Sequence, residues 1–187
     1  CKMRTVWIDT DATTEPVTLT EAKLYCKISG TGDDTLLTQL LKTAREQIET
    51  YTGRSLAEKT YYVEYDKIEN GKYVALPCWP IKSVSTVSVM DSEGVSTVLT
   101  LNSEYYLQGA PWTKIMFPGF YSTRSVTVKV KFVAGYGATG CPSLPSTLKD
   151  AILKRILVLY THRGDEGVTN NEGFELATPY KDDVWLA

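Results

Sequence analysis

The chain of 187 residues contains a single histidine, four cysteines and no marked excess of either charge, its formal net charge being -2. Each shortage excludes a class of chemistry. With His162 alone, a two-histidine metal site is impossible, and a Ser–His–Asp arrangement would have to be built around that one residue, with no GxSxG elbow to support it. His162 falls at the end of a helical pattern, where a cation complements the helix dipole, and a structural role is the simpler reading. Cys1, Cys26, Cys78 and Cys141 are too widely separated for a zinc knuckle or a redox CxxC pair, so free thiols in a reducing compartment are expected. No apolar run approaches the roughly 18 residues of a membrane span, and no charged-then-apolar leader is present, so neither a span nor a signal peptide is expected. Basic residues are scattered: Lys129 and Lys131 alternate along a probable strand, and Lys154 and Arg155 share a helix with Asp150. Without a phosphate-tracking stripe, sequence-specific DNA binding is not expected.

The remaining motifs also fall short of a catalytic or ligand site. Asp9, Asp11, Thr13 and Glu15 alternate like the start of a calcium loop, but Thr14 and Thr20 stand where Gly and Glu are required. The glycine-rich stretch from Gly135 to Gly140 lacks the GK[ST] ending of a phosphate loop, and Cys141-Pro142 blocks direct passage into a helix, so a tight turn is expected. Asp182-Asp183 and Asp33-Asp34 could in principle pair as acid and base, but Asp33-Asp34 is accounted for by helix capping. The 12 tyrosines and 4 tryptophans are not interleaved with basic residues, which suits sheet surfaces and protein interfaces better than a stacking platform for single strands. No catalytic residue, cofactor or metal is expected.

What is present is structural patterning. Cys1 to Pro16 is short and polar and reads as an extended arm. Thr18 and Glu21 form a capping box for a short helix reaching about Ile28, which Gly30 and Gly32 end. Asp33 or Asp34 then opens a long helix in which Leu36, Leu37, Leu40, Leu41, Ala44, Ile48 and Tyr51 recur at three- and four-residue steps, with Gly53 placed as a left-handed cap. From Lys59 to Phe132 the period falls to two. Strands are expected over Thr60–Asp66, Tyr73–Leu76, Val84–Met90, Val95–Leu101, Tyr105–Gln108, Lys114–Phe117 and Ser125–Phe132, separated by turns such as Asn70-Gly71. Pro145 and Ser146 open a last helix running to about His162, apolar on almost every side from Ile152 to Tyr160. A neighbouring copy is expected to cover part of it, through Leu153, Leu157 and Tyr160. The polar, Gly- and Asn-rich stretch that follows ends in Phe174, Leu176, Tyr180, Val184, Trp185 and Leu186, expected to dock on a partner. On this reading, removing residues 174–187 leaves the fold intact.

The fold class is therefore α+β. An N-terminal arm and helical hairpin (1–58) and a loop with the last helix (134–163) form a helical core. A small antiparallel β-sandwich or barrel is inserted over 59–133, and an extended C-terminal arm occupies 164–187.

Three segments carry a family resemblance. The first is Glu15-Pro-Val-Thr-Leu-Thr-Glu-Ala-Lys23, followed by Gly32-Asp-Asp, Leu36-Leu37, Ala44-Arg45-Glu46, Ile48-Glu49 and Tyr51-Thr-Gly-Arg-Ser-Leu56. The second runs from Phe132-Val-Ala-Gly-Tyr-Gly137 through Pro145, Leu148-Lys149 and Ala151-Ile-Leu153 to Leu159-Tyr160 and Arg163. The third is Thr178-Pro-Tyr-Lys181 with Trp185-Leu186, where Lys181 replaces the Arg expected. Together they resemble the head-to-tail connector, or adaptor, family of tailed bacteriophages and gene transfer agents. The resemblance implies a virion protein made in the host cytoplasm, assembling as a homo-oligomeric ring, typically of twelve copies, below the portal protein. It further implies a seat for the next neck, stopper or tail protein, passage of double-stranded DNA through the ring, and a C-terminal arm engaging the portal. A near-neutral charge suits such a channel, because a strongly basic lumen would grip DNA that has to slide. Two other readings compete: a stopper or tail-completion protein, and a β-sandwich binding module in which Trp79, Trp112 and Tyr121 would line a cleft.

Overall fold

The computed structural model describes residues 2–66, 73–91, 93–109, 114–118, 127–137, 141–163 and 171–181. The chain divides into two compact units, one of residues 1–12 and 57–142, the other of residues 13–56 and 143–187. It therefore passes from sheet to helices, back to sheet and back to helices.

The first unit is built on strands β1 (Lys2–Thr10), β2 (Lys59–Asp66), β3 (Tyr73–Ala75), β4 (Ile81–Met90), β5 (Ser96–Val98), β6 (Tyr106–Gln108), β7 (Lys114–Met116) and β8 (Thr127–Ala134). They make two antiparallel sheets, a five-stranded one in the order β1-β2-β8-β4-β5 and a three-stranded one in the order β3-β7-β6. Both sheets are open, so the barrel alternative is wrong among the described residues. On β8, Val128, Val130, Phe132 and Ala134 are buried while Thr127, Lys129 and Lys131 are not, as alternation dictates for a strand with one covered face. Tyr61, Val63, Tyr65, Val87 and Val89 meet them from the flanking strands, and Val74, Leu76, Ile115 and Phe117 join the same core from in and beside the small sheet. Tyr65, buried there, donates its hydroxyl to the carbonyl of Ala75 at 2.5 Å, and burial pushes its phenol well above the ordinary range.

Two strand expectations need correcting. Residues 2–10 are extended, but they pair with β2 and are no free arm. The strand expected over Val95–Leu101 stops at Val98, because Leu99 turns into the core and a turn closes between Thr100 and Glu104. The turn is held by the Glu104 carboxylate on the Thr100 amide at 2.7 Å, and Asn102 adopts a positive φ of 64°. Asn70-Gly71 lies outside the described residues.

The second unit comprises α1 (Leu19–Tyr25), α2 (Asp34–Thr52), α3 (Ser146–Thr161), α4 (Phe174–Ala177) and a 3-10 turn over Thr178–Tyr180. The capping box forms as expected: the Thr18 hydroxyl accepts from the Glu21 amide at 3.2 Å, and the Glu21 carboxylate accepts from the Thr18 amide at 2.9 Å. Gly53, with φ 70°, ends α2 as a left-handed cap. Leu37, Leu41, Ala44 and Ile48 of α2 and Leu148, Ala151, Ile152 and Ile156 of α3 form the buried helical core.

Gly135 closes the sheet unit. Its φ is 142°, its amide donates to the Pro80 carbonyl at 2.9 Å, and a Cβ there would stand 2.3 Å from the carbonyl oxygen of Ala57. Only glycine permits both the conformation and the approach. Gly135→Ala is expected to cost at least about 1–3 kcal/mol, measured as a shift of the urea midpoint at unchanged slope.

Candidate functional site

Of the residues that carry the resemblance, Phe132 to Gly137 belong to the sheet unit, and most of the other described ones lie in the helical unit, where they pair with each other. Arg45 has no exposed side-chain surface. Its Nε and Nη2 donate to the two carboxylate oxygens of Glu15 at 2.7 and 3.2 Å, and its Nη1 donates to Glu49 Oε2 at 2.8 Å. The other oxygen of Glu49 accepts the Leu56 amide at 2.9 Å. One buried cation thus ties the segment ahead of α1 to the segment beyond α2. The Asp33-Asp34 pair has a similar use. Asp33 occupies the N-cap position of α2 but makes no capping bond with its side chain. It accepts instead from the Tyr160 hydroxyl on α3 at 2.6 Å, while Asp34 pairs with Lys23 of α1 at 2.6 Å. The hydrogen bond to Asp33 holds the Tyr160 phenol above its ordinary range.

The Tyr51–Leu56 and Thr178–Lys181 motifs meet. The Tyr51 hydroxyl lies 2.9 Å from the Thr178 hydroxyl, and Arg54 Nε donates to the Tyr180 carbonyl at 2.6 Å with its guanidinium 5.7 Å from the centre of the Tyr180 ring. Lys181 lies over the Tyr51 ring at 5.4 Å, a cation contact that Arg would also make. Phe174 packs between the Tyr51 ring at 5.0 Å and the Arg155 guanidinium at 4.9 Å. The described part of the expected C-terminal arm is therefore not extended: residues 174–180 are helical and folded onto α2 and α3. Phe174, Leu176 and Tyr180 are half-buried in this clasp, and Ala177 is fully buried. Removing residues 174–187 would open the helical core, contrary to the sequence reading. Val184, Trp185 and Leu186 lie outside the described residues.

On α3 the chain covers more of the apolar surface than expected. Leu153 is 8% exposed, and Leu157 and Tyr160 are half-buried. Among the described residues, the aliphatic side chains left most exposed lie elsewhere: Leu24 at 81%, Val98 at 65%, Val95 at 57% and Ile8 at 48%. The sequence pattern places Val98 in the middle of a longer strand, Val95–Leu101. Leu24 sits on a seven-residue helix, too short a stretch for periodicity to reveal its bare side.

The candidate ligand motifs dissolve into ion pairs. Asp9 pairs with Lys131 at 2.9 Å, Asp11 with Lys59 at 3.6 Å, and Glu15 with Arg45. Among the described residues no group of three His, Cys, Asp or Glu side chains could hold a metal. Trp79 meets the edge of Tyr136 at 5.9 Å and is half-buried, while Trp112 and Tyr121 lie outside the described residues. Among the described residues, no helix is long and apolar enough to cross a membrane.

The family model for phage gp6-like head-tail connector proteins matches residues 16–86. That stretch is similar to a connector sequence. It holds α1, α2 with Arg45 and Glu49, and the first strands that follow. No curated protein matches. Among solved structures, the chain is similar to one in the neck of an empty gene transfer agent (GTA) particle computed with C6 symmetry, with 20% identity, TM-score 0.74 and 95% of each chain covered. It is equally similar to one in the virion of a native GTA particle, at 21% identity, TM-score 0.74 and 95% of each chain. A third, from the neck of a native GTA particle computed with C12 symmetry, gives 19% identity, TM-score 0.73 and the same coverage. At these identities the likeness is one of fold, and it extends over both units.

Arg45→Met leaves Glu15 and Glu49 facing each other without a cation. Stability is expected to fall by about 3–5 kcal/mol, read from urea unfolding followed by far-UV circular dichroism. A second expectation concerns acid. Lys149, with the Thr18 amide, lowers the Glu21 carboxyl from 4.5 to about 2. A depressed carboxylate contributes stability above its unfolded value, and that contribution is lost as the pH falls from about 4.5 towards 2. Glu21→Gln, which can still serve the capping box, should melt lower than the wild type at neutral pH, with the difference shrinking below pH 4.5 and lost as the pH falls through about 2.

Proposed function

We propose that the chain is a structural adaptor at the head–tail junction of a tailed bacteriophage or gene transfer agent particle. Copies form an oligomeric ring, of twelve subunits, beneath the portal. The ring joins the capsid to the next neck or tail component and lets double-stranded DNA pass without reading its sequence. Its place is the virion neck, after synthesis in the host cytoplasm, and its role is assembly and not catalysis. The observation that carries this reading is the connector match over residues 16–86. The fold likeness to GTA neck and virion chains, extending across 95% of the molecule, supports it. The absence of a basic stripe agrees, since each phosphate neutralised would add a drag on sliding DNA.

Within this reading the two partner surfaces are divided as follows. Val184, Trp185 and Leu186 are the residues for portal contact, carried at the end of the clasp formed by residues 174–180. Leu157 and Tyr160 are the part of α3 left for a neighbouring subunit. Phe174, Leu176 and Tyr180 support the contact by holding the clasp to α2 and α3.

Co-sedimentation with the portal of its own particle, with mass read by light scattering, tests the proposal. A complex carrying many copies per portal ring is expected, and a monomer that ignores the portal overturns it. A chain ending at Lys181 should keep the melting temperature of the full chain and lose at least about tenfold in portal affinity. Unchanged affinity would move the portal contact away from residues 182–187.

A further inference from the structure

The end of the clasp is held by one short stretch of α2 and the turn after it. Among the described residues, the hydrogen-bond and ring contacts that Thr178, Tyr180 and Lys181 make outside the clasp go to Tyr51 and Arg54 alone. Thr178 meets the Tyr51 hydroxyl at 2.9 Å, and Lys181 lies over the Tyr51 ring at 5.4 Å. Arg54 Nε donates to the Tyr180 carbonyl at 2.6 Å while the guanidinium lies 5.7 Å from the centre of the Tyr180 ring. A single side chain thus holds Tyr180 by its backbone and by its ring. The other end of the clasp is fixed differently. Gly173 has a φ of 95°, and a Cβ there would stand 2.8 Å from the Ala151 carbonyl oxygen, so backbone is set directly against α3.

Arg54 is itself braced. It follows Gly53, the left-handed cap of α2, whose amide donates to the Glu49 carbonyl at 2.8 Å. Two residues beyond Arg54, the Leu56 amide donates to the Glu49 carboxylate at 2.9 Å. Glu49 therefore brackets the segment that carries Arg54, and the buried Arg45 holds the other oxygen of the same carboxylate at 2.8 Å. Thr52, fully buried, donates its hydroxyl to the Ile48 carbonyl at 2.8 Å and accepts the Arg54 amide at 3.4 Å. A side chain sets the geometry of another segment only from a base that does not move, and this base is locked on both sides. Between the residue that Arg54 grips and residues 182–187 stands Lys181 alone, and it too is held, over Tyr51.

We infer that Arg54 and Tyr51 are positioning residues for the portal contact: they fix the point from which residues 182–187 leave the helical unit, and do so without touching the portal. The inference rests on the portal role given above to Val184, Trp185 and Leu186. A segment that starts from a fixed exit loses less conformational freedom on binding than one that starts from a loose clasp, so its affinity is higher for the same contacts. Arginine suits the task, because its planar guanidinium can donate along one edge while its face lies against a ring, and lysine cannot do both. A role confined to steadying the helical core would act alike whether or not residues 182–187 were present, and that separates the two.

The experiment is a cycle of the full chain, Arg54→Met, the chain ending at Lys181, and both changes together. Affinity for the portal of its own particle is measured for each, and hydrogen exchange of the free proteins is followed by mass spectrometry. Arg54→Met is expected to weaken portal binding about five- to tenfold in the full chain, and to have no effect in the chain ending at Lys181, where no tail is left to place. Exchange over residues 178–187 should quicken in Arg54→Met while that of α2 and α3 stays as in the wild type. Tyr51→Phe keeps the ring and removes only the bond to Thr178, and it should act in the same sense, more weakly. Wild-type affinity of Arg54→Met in the full chain, or an equal loss at both chain lengths, overturns the positioning role and leaves the connector reading standing. A chain ending at Lys181 that binds as tightly as the full chain also overturns it, since there is then no tail contact to position. A wild-type chain that ignores the portal overturns the connector reading. The exchange data then decide alone: quickened exchange in Arg54→Met supports Arg54 as the anchor of the exit, and unchanged exchange overturns that as well.

Discussion

The helical unit depends on a single buried cation. Arg45 has no contact with solvent through its side chain, and its guanidinium is shared by carboxylates from the segment before α1 and from α2 itself. Burying such a group is costly unless every donor is met, and the payoff is uniqueness of arrangement more than raw stability. An apolar side chain at this position would fill the space equally well. It would leave Glu15 and Glu49 without a common partner and would loosen the anchoring of the Leu56 amide through Glu49. Hairpin geometry, and with it the point where the chain leaves the helices for the sheet, follows from where Arg45 points.

The same economy explains why the protein has acids and bases in quantity and no site among its described residues. Carboxylates that look available in the sequence are each assigned to holding one element to another: Asp9 to β8, Asp33 to α3, Asp34 to α1, Glu21 to α3. A catalytic carboxylate has to be left under-satisfied so that it can act on something else. These are held in charge-assisted bonds, and their chemistry is mechanical.

Much of the helical half was legible in advance, because its signals are local. The capping box, the three- and four-residue spacing of leucines in α2 and the glycine at its end each depend on neighbours within one turn, and all appear where the pattern put them. Alternation on β8 was equally plain. What local pattern could not supply was pairing. Residues 2–10 carry no strong strand signal and become a strand because β2 offers them an edge. Val95 to Leu101 has good strand composition, yet it stops short because Leu99 is drawn into the core. The clasp escapes local pattern for a related reason: Phe174, Leu176 and Tyr180 are apolar residues that need cover, but a helix of four residues gives no periodicity from which to infer that α2 and α3 provide it. Arg45 was visible in the sequence only as part of a motif. Its burial followed from Glu15 lying 30 residues away, a distance across which pairing leaves no local trace.

The order of elements along the chain has a consequence for how the molecule comes into being. As the chain leaves the ribosome, β1 emerges first and has no partner until β2 has followed, and the centre of the sheet stays empty until β8 arrives between β2 and β4. The hairpin of α1 and α2 is finished early, but its apolar stripe waits for α3, and the end of α2 waits for the clasp. Neither unit can be completed on a partial chain, and contacts so distant in sequence make for slow, late closure. A truncated product would expose both cores together. Each unit is thus closed by a segment far along the chain from the one that opens it.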